Sequence, residues 1–331
     1  MKLLKKLSPI IISSTIILYS SYSAAELTGL AKVRLIDEMP FTGATQVRDL
    51  QTAKIEFGYT QTHNNLFESS LLFVYEENLT PFTLEQADIR VDIAPLTQMQ
   101  FGLSVLPFGQ FDSLMIAKPL TLELMESFET MVALKQITPQ GEFRAFTYIG
   151  DSQTSSINQI EYGFGWKMPL RQTMSVDVGF NSNIADSNLI QEIDGGGGAG
   201  KIAKQIGAVN MVFEAQWEPY SLYIENMQTT RAFISGDLGG AISQSTRLGV
   251  THLEITAKLS DKHKMSVAFQ QTNDAAFTGL PQSRISLNYQ RQLHQRIYYA
   301  LELSQTEDYS VADGGSGNNG NGIAIELTTE F

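Results

Sequence analysis

The last ten residues, 322–331, read GIAIELTTEF and predict the fold most directly. Successive side chains of an extended strand point to opposite faces. One face would therefore carry the apolar side chains of Ile323, Ile325, Leu327 and Phe331. The other face would carry the polar side chains of Glu326, Thr328 and Glu330. An apolar face suits lipid and a polar face suits water, as expected of the strand that closes an outer-membrane barrel.

The same alternation recurs along the whole chain in segments of about ten residues, the length that a tilted strand needs to cross the hydrocarbon layer. The clearest segments lie at 53–59, 87–93, 99–105, 174–180, 265–269 and 297–303. Weaker segments lie near 27–35, 66–76, 130–137, 142–150, 157–166, 206–217, 220–228, 247–259 and 284–292. With the terminal strand they make sixteen. We predict an all-β, antiparallel, up-and-down transmembrane barrel in the bacterial outer membrane.

The connections between these segments alternate in length, as periplasmic turns and external loops do in such barrels. The predicted short connections are 61–65, 94–96, 138–141, 167–172, 218–219, 260–262 and 293–294. The predicted external connections are 36–50, 77–83, 108–129, 151–156, 182–205, 229–246, 272–283 and 306–321. A soluble β-sandwich, the alternative fold, has no reason to sort its loops in this way.

Residues 1–25 read as an export signal, because a basic start is followed by an apolar run and small residues before Glu26. Residues 26–331 would then form one barrel domain. Without the three lysines of the signal, 20 of the 23 basic residues remain against 35 acidic ones, a formal charge of −15. Binding to nucleic acid is therefore not expected. Sixteen strands normally enclose a water-filled channel, so transport is the expected function.

The connection 108–129 mixes apolar side chains with charged ones and is poor in glycine. Water would rarely surround so many apolar side chains, so we expect this loop to fold into the barrel and narrow the channel. The alternative is a plain packed surface loop. On the first interpretation the candidate pore-lining residues of the loop are Phe108, Phe111, Asp112, Ser113, Lys118, Glu123, Glu126 and Glu129.

Charged residues on the predicted strands should face the lumen, because a basic side chain facing lipid at mid-depth costs about 2–4 kcal/mol. Arg90 and Arg144 are the candidate pore-lining residues among them. The other lumen-facing charges would be Lys54, Glu56, Asp88, Asp92, Asp177, Glu254 and Lys258. These charges either select the solute or merely pair across neighbouring strands.

The loop also resembles the LbtU-type siderophore porins, in Pro107-Phe108-Gly109, Phe111, Ser113, Met115-Ile116, Pro119-Leu120-Thr121-Leu122 and Glu126…Glu129-Thr130. The resemblance extends more diffusely over the whole mature barrel. It implies uptake of ferric siderophore without an energy-coupled plug. Two positions depart from the family pattern, with Met125 in place of a glycine and Ala117-Lys118 in place of Ser-Asp. Lys118 in place of an acid would change the charge of the constriction and so leaves the cargo open.

Competing functions remain open at the level of sequence. One is a general or anion-selective porin, and another is an outer-membrane hydrolase built around His252, the one histidine far from the short turns. No serine motif accompanies His252, so no enzyme activity and no cofactor are expected. The expected partners are ferric siderophore or another small solute, outer-membrane lipid and the barrel-assembly machinery. A homotrimer is one assembly that the sequence leaves open.

Overall fold

Each strand of the protein pairs with its neighbours along the chain, and the last strand pairs with the first, so that the sheet closes into a barrel. The computed structural model describes residues 24–43, 45–64, 67–77, 82–150, 160–193, 202, 204–238, 242 and 244–331. The first eight strands are β1 (Ala24–Met39), β2 (Val47–Asn64), β3 (Phe67–Tyr75), β4 (Thr83–Ala94), β5 (Thr97–Val105), β6 (Phe128–Thr138), β7 (Gly141–Ile149) and β8 (Ile160–Arg171). The other eight are β9 (Met174–Asn181), β10 (Ala208–Trp217), β11 (Tyr220–Thr229), β12 (Gly249–Ser260), β13 (His263–Asn273), β14 (Ser283–His294), β15 (Ile297–Glu307) and β16 (Asn319–Glu330).

All sixteen predicted strands are present, and all neighbouring pairs are antiparallel. Two short helices, α1 (Leu120–Met125) and α2 (Asn188–Ile193), lie in connections. No helix within the described ranges is long and apolar enough to cross a membrane. The predicted export signal falls almost entirely on residues 1–23, outside the described residues.

The terminal strand closes the barrel against β1. Leu35 lies opposite Ile325, and Leu30 lies opposite Glu330. At the end of this ladder the Gly29 N–H donates to the Phe331 carbonyl at 2.9 Å, and the Phe331 N–H donates back to Gly29 at 3.0 Å. These two bonds satisfy backbone groups that would otherwise be unpaired in the wall, which lipid does not tolerate.

The side chains of the wall alternate between an apolar outer face and a polar inner face, as predicted. On β13, Val267 is 46% exposed, whereas Ser266 before it is 1% exposed. On β16, Ile323 and Leu327 are exposed, whereas Glu326 is buried. The outward side chains match hydrocarbon and the inward ones match water. A closed wall of this kind is that of a bacterial outer-membrane barrel, which confirms the predicted fold and location.

The connections alternate in length as predicted. Among the described residues, six turns at one end of the barrel contain two residues each, at 95–96, 139–140, 172–173, 218–219, 261–262 and 295–296. The first long connection is shorter than the predicted 36–50. Strand β1 continues to Met39 and β2 begins at Val47, which leaves only residues 40–46 between them. Arg48 donates to Asp37 at 2.8 Å across this extension. Such polar pairing masks the two-residue alternation that marks a lipid-facing strand.

A hydrophobic cluster occupies part of the barrel interior, where five long connections meet, among them those that carry Leu280 and Tyr309. We call it the interior cluster. The β5–β6 connection contributes Leu106, Phe108, Leu120, Leu124 and Met125. The β9–β10 and β11–β12 connections contribute Ile184, Ile190, Ile202, Ile206, Phe233, Leu238, Ile242 and Leu248. The barrel is therefore partly filled by its own external loops.

Candidate functional site

The β5–β6 connection, residues 106–127, lies inside the barrel, where it contacts lumen-facing side chains of distant strands. We call it the constriction loop. Helix α1 is part of it, and the loop leaves the wall at β5 and returns to it at β6. Gly109 and Phe111 both have positive φ angles, +95° and 59°. These left-handed residues form a bend in the loop.

Wall side chains accept hydrogen bonds from the backbone of the constriction loop. Glu225 on β11 accepts from the Gln110 N–H at 2.9 Å, and Glu254 on β12 accepts from the Leu114 N–H at 3.1 Å. Glu254 also accepts from the hydroxyl of Ser113 at 2.7 Å. A hydrogen bond to a charged group contributes about 1.5–3 kcal/mol. These carboxylates therefore anchor the backbone of the loop to the wall.

Two further acceptors continue this support toward the end of the sheet. Glu302 on β15 accepts from the N–H groups of Ile116 and Ala117, the second at 3.1 Å. Gln270 on β13 accepts from the Leu120 N–H at 2.6 Å. All these acceptors lie on β11–β15, so one side of the wall carries the loop.

Wall donors hold the carbonyl groups of the same segment. Asn288 donates to the Leu114 carbonyl at 2.8 Å, and Arg284 donates to the Lys118 carbonyl at 2.9 Å. From β1, Arg34 donates to the Ile116 carbonyl at 3.1 Å. Donors and acceptors of the loop backbone are therefore satisfied together, as burial inside a barrel requires.

The interior cluster joins the loop to the β9–β10 connection, because it contains residues of both. Asn188, the first residue of α2, donates its N–H to the Glu126 carbonyl at 2.8 Å. Phe108 is 2% exposed and belongs to the cluster, and Phe111 is half-buried against it. Phe108 does not face solute, contrary to its prediction as a pore-lining residue, because its ring fills the cluster. Glu129 is buried on β6 beside the loop.

The opposite side of the loop carries charges that face β2–β4. Lys118 lies 3.2 Å from Glu76, and Glu76 lies 3.8 Å from Lys54 on β2. Lys54 also pairs with Glu56 at 2.6 Å. Lys118 is exposed, as expected of a side chain that projects into the solvent-filled part of the lumen.

Two more acids complete this charged zone, Glu126 on the loop and Glu85 on β4. Burial raises the pKa of Glu126 from its usual value of 4.5, Lys118 opposes the rise, and Glu85 reinforces it. We call Lys54, Glu56, Glu76, Glu85, Lys118 and Glu126 the charged zone. Beside it, on β1 and β16, Glu326 pairs with Arg34 at 2.7 Å and Lys32 at 3.4 Å.

Two other acids of the loop are also shifted. Burial raises the pKa of Glu123, against the influence of Arg284, which lies 3.8 Å away. Burial and then Glu214 raise the pKa of Asp112. With Ser113, Asp112 lines a separate cleft of about 540 Å³ under the loop, beside the turn at 218–219. The loop therefore presents acids on two sides.

The two candidate arginines of the wall are both paired. Arg90 lies 3.3 Å from Glu68 and 3.4 Å from Asp88. Arg144 donates to Asp177, which also accepts from the Gln110 side chain of the loop at 2.7 Å. Arg144 is thus connected to the constriction loop through Asp177, whereas Arg90 pairs along the wall.

His252, the candidate histidine for catalysis, has no access to solvent. It is 0% exposed on β12, and its Nε2 lies 3.3 Å from Glu254. His252 lies on the same face of β12 as Glu254, to which the constriction loop is bonded. His252 therefore does not line the channel.

Sequence comparisons give distant relatives, and no family model matches the chain. A UPF0422 protein of Legionella pneumophila strain Philadelphia 1 is 22% identical over 327 residues, and one of strain Lens is 21% identical over 315 residues. These matches cover 88% and 84% of this chain but 60% and 58% of the relatives. The chain thus spans about three fifths of the length of these curated relatives.

Solved outer-membrane structures share the fold. The channel DcaP of Acinetobacter baumannii matches with a TM-score of 0.70 and 10% identity, over 95% of this chain and 99% of that chain. An anion-selective porin from Comamonas acidovorans matches with a TM-score of 0.68 and 11% identity, over 93% and 100%. The trimer form of OmpT, an outer membrane protein of Vibrio cholerae, matches with a TM-score of 0.57 and 10% identity, over 94% and 100%. At these identities the likeness establishes the shared fold. The porin-like part of the expected resemblance is confirmed, and the siderophore-specific part stays a prediction.

Proposed function

We propose that the protein is a diffusion porin, in which solute passes between the constriction loop and strands β2–β4. The observation that carries the proposal is the one-sided support of the loop. The wall side chains that accept hydrogen bonds from the loop N–H groups lie on β11–β15. The exposed side chain of Lys118, in contrast, reaches toward Glu76, which follows β3. A loop held in this way narrows the lumen without filling the side that carries the charged zone.

The charged zone favours cations over anions. Lys54 pairs with both Glu56 and Glu76, and Lys118 also pairs with Glu76. No basic group lies within 4.0 Å of Glu85 or Glu126 in the part of the chain that the structure describes. Channels select by such rings of side chains. The surplus of carboxylate favours a cation-preferring porin over the anion-selective alternative.

Planar bilayers test this proposal directly. Purified protein should give stepwise conductance increments, and a potassium chloride gradient should give a reversal potential of the sign for cation flow. An absence of channel steps would remove the porin proposal, and an anion-directed potential would remove the cation preference.

The cargo that we propose is a ferric siderophore that is neutral or positively charged. The resemblance at Pro107-Phe108-Gly109 and the following loop supports a siderophore, and the surplus carboxylates support its charge. Binding would be modest, because a conducting site must release what it captures. Growth on ferric siderophore as the sole iron source, in a deletion strain and its complemented derivative, tests the cargo. Equal growth of the two strains would contradict it.

We also infer that the chain is exported by the signal at 1–25, inserted into outer-membrane lipid by the barrel-assembly machinery, and has no catalytic role. The enclosed position of His252 supports the last inference. Lipase and protease assays on refolded protein should show no turnover, and turnover lost on His252→Ala would restore the hydrolase alternative. A homotrimer is the assembly that we propose, and light scattering in detergent measures it.

A further inference from the structure

A buried histidine lies at the centre of the wall residues that hold the constriction loop. His252 is 0% exposed on the inner face of β12. Glu225 on β11 and Gln270 on β13 lie directly opposite it, and Glu254 lies two residues further along β12 on the same face. Each of these three neighbours accepts a backbone N–H group of the constriction loop. Three anchors of the loop therefore surround one imidazole ring.

Helix α1 closes this space from the inside of the barrel. It packs on β11, β12 and β13, and its Thr121 is 0% exposed. Tyr223 on β11 contacts the histidine edge-on, with 5.7 Å between the two ring centroids. The one charged side chain of α1 is Glu123, which lies 3.8 Å from Arg284 on β14. His252 is therefore enclosed by protein, and water does not contact it.

Two carboxylates next to this ring have no other basic partner. Glu225 is 0% exposed and Glu254 is 4% exposed. Among the described residues no Lys or Arg lies within 4.0 Å of either, whereas the Nε2 of His252 lies 3.3 Å from the Glu254 carboxylate. Directly opposite residues of antiparallel strands have Cβ atoms about 4.5–5.5 Å apart, so Glu225 is also near the ring. Buried charges are costly without an opposite charge, and a proton on His252 supplies one.

We propose that His252 is a positioning residue whose proton keeps the constriction loop docked. The protonated ring lies between Glu225 and Glu254 and offsets their charge, so both carboxylates stay buried and accept the loop N–H groups. Without that proton the two carboxylates repel each other in a site closed to water, and the first half of the loop detaches. Histidine normally changes its charge between about pH 5 and 8. The docked loop is therefore stabilised at low pH, and this stabilisation is lost as the pH rises.

Docking of the loop is measurable without ion flow, whereas its effect on conductance rests on the proposed porin function. The chain contains no cysteine, so Asp112→Cys provides a single site for a nitroxide spin label. Residue 112 is exposed and lies between the bonded N–H groups of Gln110 and Leu114. In lipid vesicles, electron paramagnetic resonance should show slow label motion at about pH 5 and fast motion at about pH 9.

Two variants of similar size should change this profile in opposite directions. His252→Gln cannot be protonated, so the label should move fast at every pH. Glu225→Gln keeps an oxygen that accepts the Gln110 N–H but removes one carboxylate, so the label should move slowly at every pH. A role confined to packing would not produce opposite effects. The matched control is His294→Gln, which changes an exposed histidine at the end of β14 and should keep the wild-type profile.

Bilayer recordings then connect docking with the pore. Open-channel current noise of the wild type should at least double over the same pH range and should stay low in Glu225→Gln. The gel shift between unheated and boiled samples shows that each variant is a folded barrel. Label motion that does not depend on pH in the wild type, or a wild-type profile in either variant, would overturn the proposal. A label that responds as expected in a protein without channel steps would support the role of His252 and count against the porin proposal alone.

Discussion

Glu302 and Glu126 are two carboxylates of one barrel with different tasks. Glu302 accepts two N–H groups of the constriction loop and thereby holds backbone in place. Glu126 belongs to the loop and has no basic group within 4.0 Å among the described residues. A carboxylate committed to backbone donors supports structure, whereas one without a cation partner adds net charge to the solute path.

Removing the charge of Glu126 should therefore change selectivity. We expect Glu126→Gln to reduce the cation-directed reversal potential in a salt gradient, with little change in conductance, because the side chain keeps its size. Glu192→Gln, an exposed acid on α2, is the matched control and should leave the potential unchanged. An unaltered potential in the first variant would show that Glu126 does not act on permeating ions.

Acidification should act on the same residue. Burial raises the pKa of Glu126 above 4.5, so protonation begins at a higher pH than for an ordinary glutamate. Cation preference should fall as the pH drops from neutral, with a midpoint above 4.5. The contribution of this carboxyl to stability has the opposite sense: it is fully present below the ordinary pKa of 4.5 and is lost as the pH rises through the raised pKa of the folded state. Reversal potentials from pH 4 to 8 measure the first effect, and Glu126→Gln should flatten the curve.

At the scale of the element, the constriction loop makes most of its contacts with wall residues that are distant from it in sequence. The deletion of residues 110–121 removes the segment that Glu225, Glu254, Gln270 and Glu302 support. We expect single-channel conductance to rise severalfold, because the cross-section no longer includes the loop. Deletion of residues 41–45, in the connection between β1 and β2, is the control and should leave conductance unchanged. Equal conductance of both deletions and the wild type would show that the loop does not narrow the pore.

The alternation of residues predicted all sixteen strands, because membrane burial imposes a period of two on every strand. On β1 and β2 it failed to predict the ends, since polar pairs such as Arg48 with Asp37 interrupt the pattern. The sequence alone could not identify the wall residues that bind the constriction loop. Glu302 is recognisable as lumen-facing, but no local signal connects it with Ile116, which lies 186 residues away. Phe108 was predicted to line the pore because the sequence does not distinguish an apolar loop residue that faces solute from one that packs in a hydrophobic cluster.

At the scale of the whole molecule, the wall separates lipid from water by the direction of single side chains. We expect Val267→Arg, near the middle of β13, to destabilise the barrel by about 2–4 kcal/mol, because it places a charge in hydrocarbon. Val267→Leu, which keeps the apolar surface, should be nearly neutral. Urea titration in lipid vesicles, followed by tryptophan fluorescence, measures the difference. Equal stability of the two variants would contradict an outward, lipid-facing position for residue 267.

The support of the constriction loop also sets an order of events during biogenesis. Most of its wall partners come from β8, β9 and β11 to β15, all synthesised after the loop, and from β1, whose position against β16 is fixed only when the circle of strands is complete. Contacts between residues this far apart in sequence form late. The loop therefore cannot dock until the later hairpins have been added. The pore acquires its final bore only after the last hairpin is inserted, so a half-built barrel would be leakier than the finished one.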